Sequence, residues 1–133
     1  MKLIFAALII LTGISPIADA RSREADLAVR QFRFDRGNPQ GVYVHVVNFG
    51  ALNAPPTTLR LTVRVINGIT VGRTTDVALP VIAGGDDVWV FVDASSILPA
   101  SVPLTDTTFR ADADATAVIA EPNELNNRLW HNL

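Results

Sequence analysis

Apolar and polar residues alternate most regularly in residues 59–66. Leu61, Val63 and Val65 take every second position, and two arginines and a threonine fill the positions between them. Successive side chains of a β-strand point to opposite faces, so this stretch predicts a strand with one buried and one hydrated face. The leucine and valine side chains are expected to point inward.

A hairpin is predicted directly after this strand. Asn67-Gly68 is a dipeptide that favours the two-residue turn of a β-hairpin. Residues 69–76 then return as the partner strand, and their apolar content fades toward Arg73, which is typical of an exposed sheet edge.

The same alternation predicts strands in the rest of the chain. In residues 26–35 the apolar parity changes across Arg30 and Gln31, which indicates either a β-bulge or a strand that changes sheets. The predicted strands cover residues 26–35, 41–48, 59–66, 69–76, 87–93, 107–114 and 128–133.

Residues 87–93 are apolar at both parities, because valines alternate with Trp89 and Phe91. Either both faces of this strand are covered, or the aromatic pair forms an exposed patch that binds a sugar or a protein. Buried aromatic rings dominate the cores of β-sandwiches, so Trp89 is expected to be the core tryptophan. Trp130, near the C-terminus, is expected to be the exposed one.

Seven or eight short strands, separated by turn residues and without a helical period, predict an all-β protein. The expected fold is an immunoglobulin-like antiparallel β-sandwich of about seven strands. A tight turn is expected after the second strand, where Asn48 bonds the backbone and Gly50 adopts a positive φ. Residues 94–106 form a longer connection, in which 95–98 are expected to make one helical turn.

The N-terminus has the three parts of a signal peptide. Lys2 is followed by an apolar run over 3–11, and Ala18 and Ala20 occupy the small-residue positions before a cleavage site. The apolar run is shorter than the ~20 residues that span a bilayer. We therefore expect a signal peptide at 1–20, a flexible leader at 21–25 and a β-sandwich at 26–133.

Composition narrows the function classes. The chain of 133 residues has no cysteine, so the domain is expected to fold without disulfides. Its formal net charge of −2 supplies no basic field for nucleic acid. No segment after Leu11 is long enough to span a membrane, so no span is expected in the mature chain.

The densest polar cluster is the turn at 121–127. Its structural interpretation is that asparagine side chains bond the turn backbone, while the glutamates accept backbone N–H groups or pair with Arg128. The residues expected in this role are Asn123, Glu124, Asn126 and Asn127.

The alternative interpretation of this turn is a calcium site. Ca²⁺ binds about six to eight oxygen ligands, which carboxylates and asparagine carbonyls supply. Two aspartates share one face of the 107–114 strand, and two glutamates lie in the turn. The candidate ligands are Asp112, Asp114, Glu121 and Glu124.

No pattern predicts catalysis. His45 and His131 are the only histidines, which is too few for a zinc site in a chain without cysteine. No serine lies in a nucleophile-elbow motif, and Gly84-Gly85 lacks the features of a phosphate-binding loop. We expect no enzyme activity, no catalytic residue and no cofactor other than the calcium considered above.

The chain resembles the CARDB module, the cell adhesion related domain found in bacteria, over about 26–133. The supporting segments are 26–29, 47–50, the hairpin with Val71-Gly72, and 79–85. The most specific is similar to the family's terminal E-x-N-E-x-N-N signature: Glu121-Pro122-Asn123-Glu124-Leu125-Asn126-Asn127.

This resemblance implies an immunoglobulin-like sandwich of seven strands on exported or surface proteins of bacteria, without enzymatic activity. We therefore expect a periplasmic or extracellular module that binds a protein or a cell-envelope component through its loops or an edge strand. The alternative is an accessory module that binds calcium or carbohydrate. The 94–106 connection looks longer than is usual in the family, and we expect the module to stand alone without an attached partner domain.

Overall fold

The computed structural model describes residues 24–114 and 127–133, which form two antiparallel sheets. The predicted signal peptide, residues 21–23 of the leader and most of the polar turn lie outside this part of the chain. The strands are β1 (Leu27–Phe34), β2 (Gly41–Asn48), β3 (Thr57–Ile66), β4 (Ile69–Leu79), β5 (Asp87–Asp93), β6 (Thr107–Ala113) and β7 (Arg128–His131).

The first sheet has the strand order β1-β2-β5, and the second has the order β4-β3-β6-β7. The immunoglobulin-like sandwich predicted from the sequence is confirmed. β2 and β5 have the predicted bounds, and β4 lies at an edge as expected. The hairpin between β3 and β4 is also confirmed, since Asn67 and Gly68 both have positive φ, 51° and 78°.

In two strands, an extra residue changes which of the following side chains are buried. The register of β1 against β2 shifts between Val29 and Gln31, so the parity change there is a β-bulge. A second shift lies in β3 between Val63 and Val65. The prediction that Val65 points inward was wrong, because this bulge leaves Val65 half-buried and buries Ile66 instead.

The core lies between the two sheets and consists of the inward valines, leucines and alanines. Val42, Val44 and Val46 of β2 belong to the same buried cluster as Leu61 and Val63 of β3, and all five are fully buried. Fully burying such a side chain contributes roughly 1.5–3 kcal/mol. Phe109 is the largest fully buried side chain, and its ring centre lies 4.9 Å from that of Phe32.

Trp89 does not belong to this core. It is half-buried on the outer face of the three-stranded sheet, so the expectation of a core tryptophan was wrong. The inward positions of β5 are its valines, and Val92 is fully buried. Trp130 is 41% exposed, as expected.

The connection between β5 and β6 covers part of the core. It contributes five buried apolar residues, which are Ala94, Ile97, Leu98, Val102 and Leu104. Gln40 fixes it, because its side-chain amide donates to the carbonyls of Pro99 at 2.7 Å and Val102 at 3.0 Å. The short helix lies at Leu104–Asp106 and is of the 3-10 type, whereas residues 95–98 form only a turn.

Candidate functional site

Asn48 joins three segments at one end of the sandwich. Its fully buried side chain accepts hydrogen bonds from the backbone N–H groups of Asp26 and Gly50, both at 3.0 Å. Its amide donates to the carbonyls of Leu52 at 2.8 Å and Ile82 at 3.0 Å. Both ends of the amide are satisfied by backbone groups, so this buried polar side chain has a structural role.

Gly50 lies beside this junction, and its expected positive φ was wrong, since the glycines with positive φ among the described residues are Gly68 and Gly85. Glycine is needed at this position for space. A Cβ atom at Gly50 would collide with the carbonyl oxygen of Glu24. The chain before β1 therefore packs directly on the turn that follows β2.

A row of alternating charges crosses the outer face of the four-stranded sheet. Arg60 of β3 lies opposite Asp76 of β4 on one side and Asp112 of β6 on the other, and Asp112 lies opposite Arg128 of β7. We call these four residues the charge row. Opposite charges at facing positions stabilise a sheet by roughly 0.2–1 kcal/mol per pair.

The charge row is held by direct contacts at both ends. Arg60 binds Asp76 with two nitrogens, at 2.8 and 2.9 Å. This hydrogen bonding lowers the pKa of Asp76 and raises that of Arg60, because it favours the charged form of each partner. Asp112 accepts from Arg110 at 2.8 Å and from Arg128 at 3.0 Å.

The proposed calcium ligands Asp112 and Asp114 line one cavity of about 270 Å³. Asp114 accepts a hydrogen bond from the Thr57 hydroxyl at 2.7 Å. Three arginines share the lining, and two of them occupy the oxygens of Asp112. Within the described ranges no group of three or more potential metal ligands occurs.

Asn127, also predicted for the polar turn, is buried and lines the same cavity. The other predicted residues of the turn lie outside the described part of the chain, so their roles stay predictions. They are Glu121, Asn123, Glu124 and Asn126. Arg128, expected as a partner of these glutamates, pairs with Asp112.

The outer face of the three-stranded sheet carries an aromatic cluster. Tyr43 and His45 of β2 lie opposite Phe91 and Trp89 of β5. The rings of Tyr43 and Phe91 are 5.1 Å apart and tilted, whereas those of His45 and Trp89 stack at 4.5 Å with an interplanar angle of 13°. Contacts of this kind contribute about 0.5–1.5 kcal/mol each beyond burial.

Arg33 of β1 completes this cluster. Its guanidinium carbon lies 4.7 Å from the centre of the Trp89 ring and 5.0 Å from that of Tyr43. We call Arg33, Tyr43, His45, Trp89 and Phe91 the outer aromatic cluster. Among the described residues, no carboxylate lies within ion-pair distance of Arg33.

Sequence reasoning missed Arg33 and Tyr43 as members of this cluster. The available signal was parity, because Tyr43 and His45 occupy the positions opposite to the inward valines of β2. Arg33 had no such signal, since its outward direction depends on the bulge in β1.

The two histidines have different surroundings. His45 donates from Nε2 to the Asp87 carboxylate at 2.6 Å on the outer face of the three-stranded sheet. His131 of β7 packs against Phe34 and Phe109 with ring centres 5.3 and 4.9 Å apart. The two imidazoles therefore lie in separate surroundings, and only His45 is paired with a carboxylate among the described contacts.

The fold defines the class of this protein as an immunoglobulin-like β-sandwich. The sequence profile of CARDB matches residues 25–130, so the chain belongs to the CARDB family of cell adhesion related, non-enzymatic domains. The predicted family is thereby confirmed.

A solved structure supports the fold. It is the crystal structure of the CARDB domain of a Pyrococcus furiosus protein in complex with di-metal ions. It matches with a TM-score of 0.53 and 20% sequence identity, over 81% of this chain and 90% of that chain. No curated protein matches the chain. Among the residues that the structure describes, no helix is long and apolar enough to cross a membrane.

Proposed function

We propose that this chain is an exported, non-catalytic module that binds a protein or another cell-envelope component. The observation that carries this proposal is the outer aromatic cluster. Trp, Tyr and Arg are the residues most enriched at the energetic centres of protein interfaces, and here Arg33 contacts both Trp89 and Tyr43 on the outer face of one sheet. We therefore place the binding surface on this face, whereas the sequence led us to expect the loops or an edge strand.

The contrast between the two outer faces supports this choice. Carboxylates and guanidinium groups pair along the charge row of the four-stranded sheet, so the charges of that row are satisfied internally. The three-stranded sheet instead presents Phe91, which is 39% exposed, and an arginine without a carboxylate partner in the described part of the chain. Aromatic residues and arginine are enriched at protein interfaces. An exposed aromatic ring and an arginine without an ion pair therefore gain more binding free energy from a partner than the paired side chains of the charge row do.

The experiment is sedimentation of the purified protein with cell-envelope fragments of its own host. Trp89→Ala is compared with Trp130→Ala, which removes the exposed tryptophan of the other sheet. We expect Trp89→Ala to reduce the bound fraction about tenfold, as for an interface centre, and Trp130→Ala to bind as the natural protein does. Far-ultraviolet circular dichroism establishes that both variants are folded, and Phe91→Ser repeats the test with a smaller disturbance. Equal binding by all variants contradicts the proposal.

A metal-binding role is the second candidate, because Asp112 and Asp114 line one cavity and the related domain from Pyrococcus furiosus was crystallised with di-metal ions. The arginines on both oxygens of Asp112 oppose it, since a cation there has to displace them and lie close to their charge. The first proposal is therefore the better supported.

A further inference from the structure

We propose that the outer aromatic cluster recognises an acidic polypeptide segment, whose carboxylate is bound by Arg33. This inference rests on the proposed function and names the chemistry of the partner. It concerns the same sheet face and assigns the charged contact to Arg33.

The Arg33 guanidinium lies over two aromatic rings, at 4.7 Å from Trp89 and 5.0 Å from Tyr43. Such stacking uses the planar face of the group and leaves its N–H edge for hydrogen bonds, and that edge matches a carboxylate with two parallel N–H bonds. Among the described residues, Arg33 has no carboxylate partner that uses this edge.

The charges around the Arg33 guanidinium favour a negatively charged partner. Asp87, at the start of β5, is engaged by His45 at 2.6 Å. Arg30, also in β1, lies over the ring of Phe49 at 5.6 Å and likewise has no ion pair within the described ranges. The β1 side of the face thus presents two guanidinium groups held on aromatic rings, which complements a negative partner.

The contacts of the aromatic rings favour a polypeptide over an anionic glycan as the partner. A sugar ring stacks on a free aromatic face, but His45 and Arg33 both lie against the Trp89 ring. Tyr43 is likewise in contact with Phe91 and with Arg33. The rings of Trp89 and Tyr43 are therefore each in contact with two side chains of this chain, which leaves less of their faces for a stacked pyranose.

The size of the cluster sets the strength of the contact. Stable interfaces use roughly 20–30 residues per side, far more than these five side chains. The interaction of one domain is therefore weak and reversible, and it weakens further with salt because the charged contact is exposed.

The test uses nuclear magnetic resonance titration of the full isotope-labelled chain with short synthetic peptides. One peptide combines Asp and Glu with Leu and Tyr, and its controls replace the acids by Gln or by Lys. We expect only the acidic peptide to shift the Trp89 indole and the β2 amides. Arg33→Gln should weaken its binding about tenfold, and Arg33→Lys should fall between, because an ammonium lacks the planar fork.

Three results overturn the inference: equal binding by Arg33→Gln, shifts confined to the charge row, or binding of polygalacturonate with no binding of the acidic peptide. The failure of the broader proposal is distinguishable. If Trp89→Ala loses envelope binding while Arg33→Gln keeps it, the face still binds but the partner is not recognised through a carboxylate.

Discussion

Arg60 and Asp112 lie directly opposite each other on neighbouring strands at the centre of the four-stranded sheet. Asp76 and Arg128 extend this pair into a row that reaches both edges of the sheet. On the other side of the sandwich, Arg33 lies over Trp89 and Tyr43 instead of facing a carboxylate. One outer face thus carries a row of paired charges, and the other carries the cluster that we propose as the binding surface.

The charge row predicts that replacing its two aspartates lowers the free energy of unfolding by unequal amounts. Asp112 has a side chain only 12% exposed and two arginine partners, so Asp112→Asn should lower the free energy of unfolding by about 1–3 kcal/mol. Asp76 is 42% exposed, and solvent screens its pair with Arg60, so Asp76→Asn should cost less than about 1 kcal/mol. Urea denaturation measures both, and an equal effect at the two positions would contradict the assignment.

Asn48 predicts a larger loss of stability. Asn48→Asp removes both amide donors and places a carboxylate against the carbonyls of Leu52 and Ile82, which should cost about 2–4 kcal/mol. Asn53→Ala is the matched control, because Asn53 makes one exposed hydrogen bond with the Gly84 N–H. Its expected cost is below about 1 kcal/mol. Denaturation curves that place the two variants together would show that Asn48 does not hold the junction.

The bulge in β3 predicts different losses of stability for Leu61→Ala and Val65→Ala, two positions that the sequence predicted to point inward. Leu61→Ala should lower stability by roughly 2–5 kcal/mol, because Leu61 is fully buried. Val65→Ala should cost less than about 1.5 kcal/mol, since the bulge leaves Val65 half-buried. The same unfolding measurement applies, and a Val65 effect as large as that of Leu61 would place the bulge elsewhere.

Two aspartates predict a loss of stability in acid. The pKa of Asp93 is lowered by the hydrogen bond from the Ser95 backbone N–H, and that of Asp76 by its bond from Arg60. Since the folded pKa lies below the unfolded value of about 3.9, their stabilisation is complete above that value and is lost as pH falls through the folded pKa. Both groups are exposed, so each contributes less than about 1 kcal/mol.

The measurement for this acid effect is thermal unfolding between neutral and acidic pH. Asp93→Asn should lower the melting temperature slightly at neutral pH and approach the natural protein in acid, because the natural protein loses the same contribution when Asp93 is protonated. A variant that is destabilised in acid but not at neutral pH would have the wrong sign for a carboxyl with a lowered pKa.

The cavity at Asp112 predicts no calcium effect on unfolding. A ligand that binds only the folded protein raises the melting temperature, but the arginines on Asp112 oppose cation binding. Melting curves with millimolar calcium and with EDTA should therefore coincide. A rise with calcium that is lost in Asp114→Asn would instead support the metal-binding candidate.

The fold was predictable because its signals are local. Alternation fixed the strands, Asn67-Gly68 fixed the hairpin, and the parity change at Arg30 indicated the bulge in β1. The bulge in β3 has no such signal, because Val65 and Ile66 are both apolar and either of them fits the core.

The outer aromatic cluster, which we propose as the binding face, was harder to predict because it depends on contacts between strands. Trp89 has the composition of a core residue, and only its register against His45 places it on the outer face. The position of Arg33 depends on both the bulge and the pairing of β1 with β2. At Asp112 the carboxylate was identified from sequence, but the arginines that occupy it come from its own strand and from β7.

The most direct test of the account is site-specific photo-crosslinking in the cells that produce the protein. A photoreactive benzophenone analogue of phenylalanine replaces Phe91 in one variant and Trp130 in another, so that each outer face carries one probe. We predict a discrete crosslinked product from position 91 and none from position 130. Crosslinking from position 130 alone, or equally from both positions, would contradict the assignment of the binding surface to the three-stranded sheet.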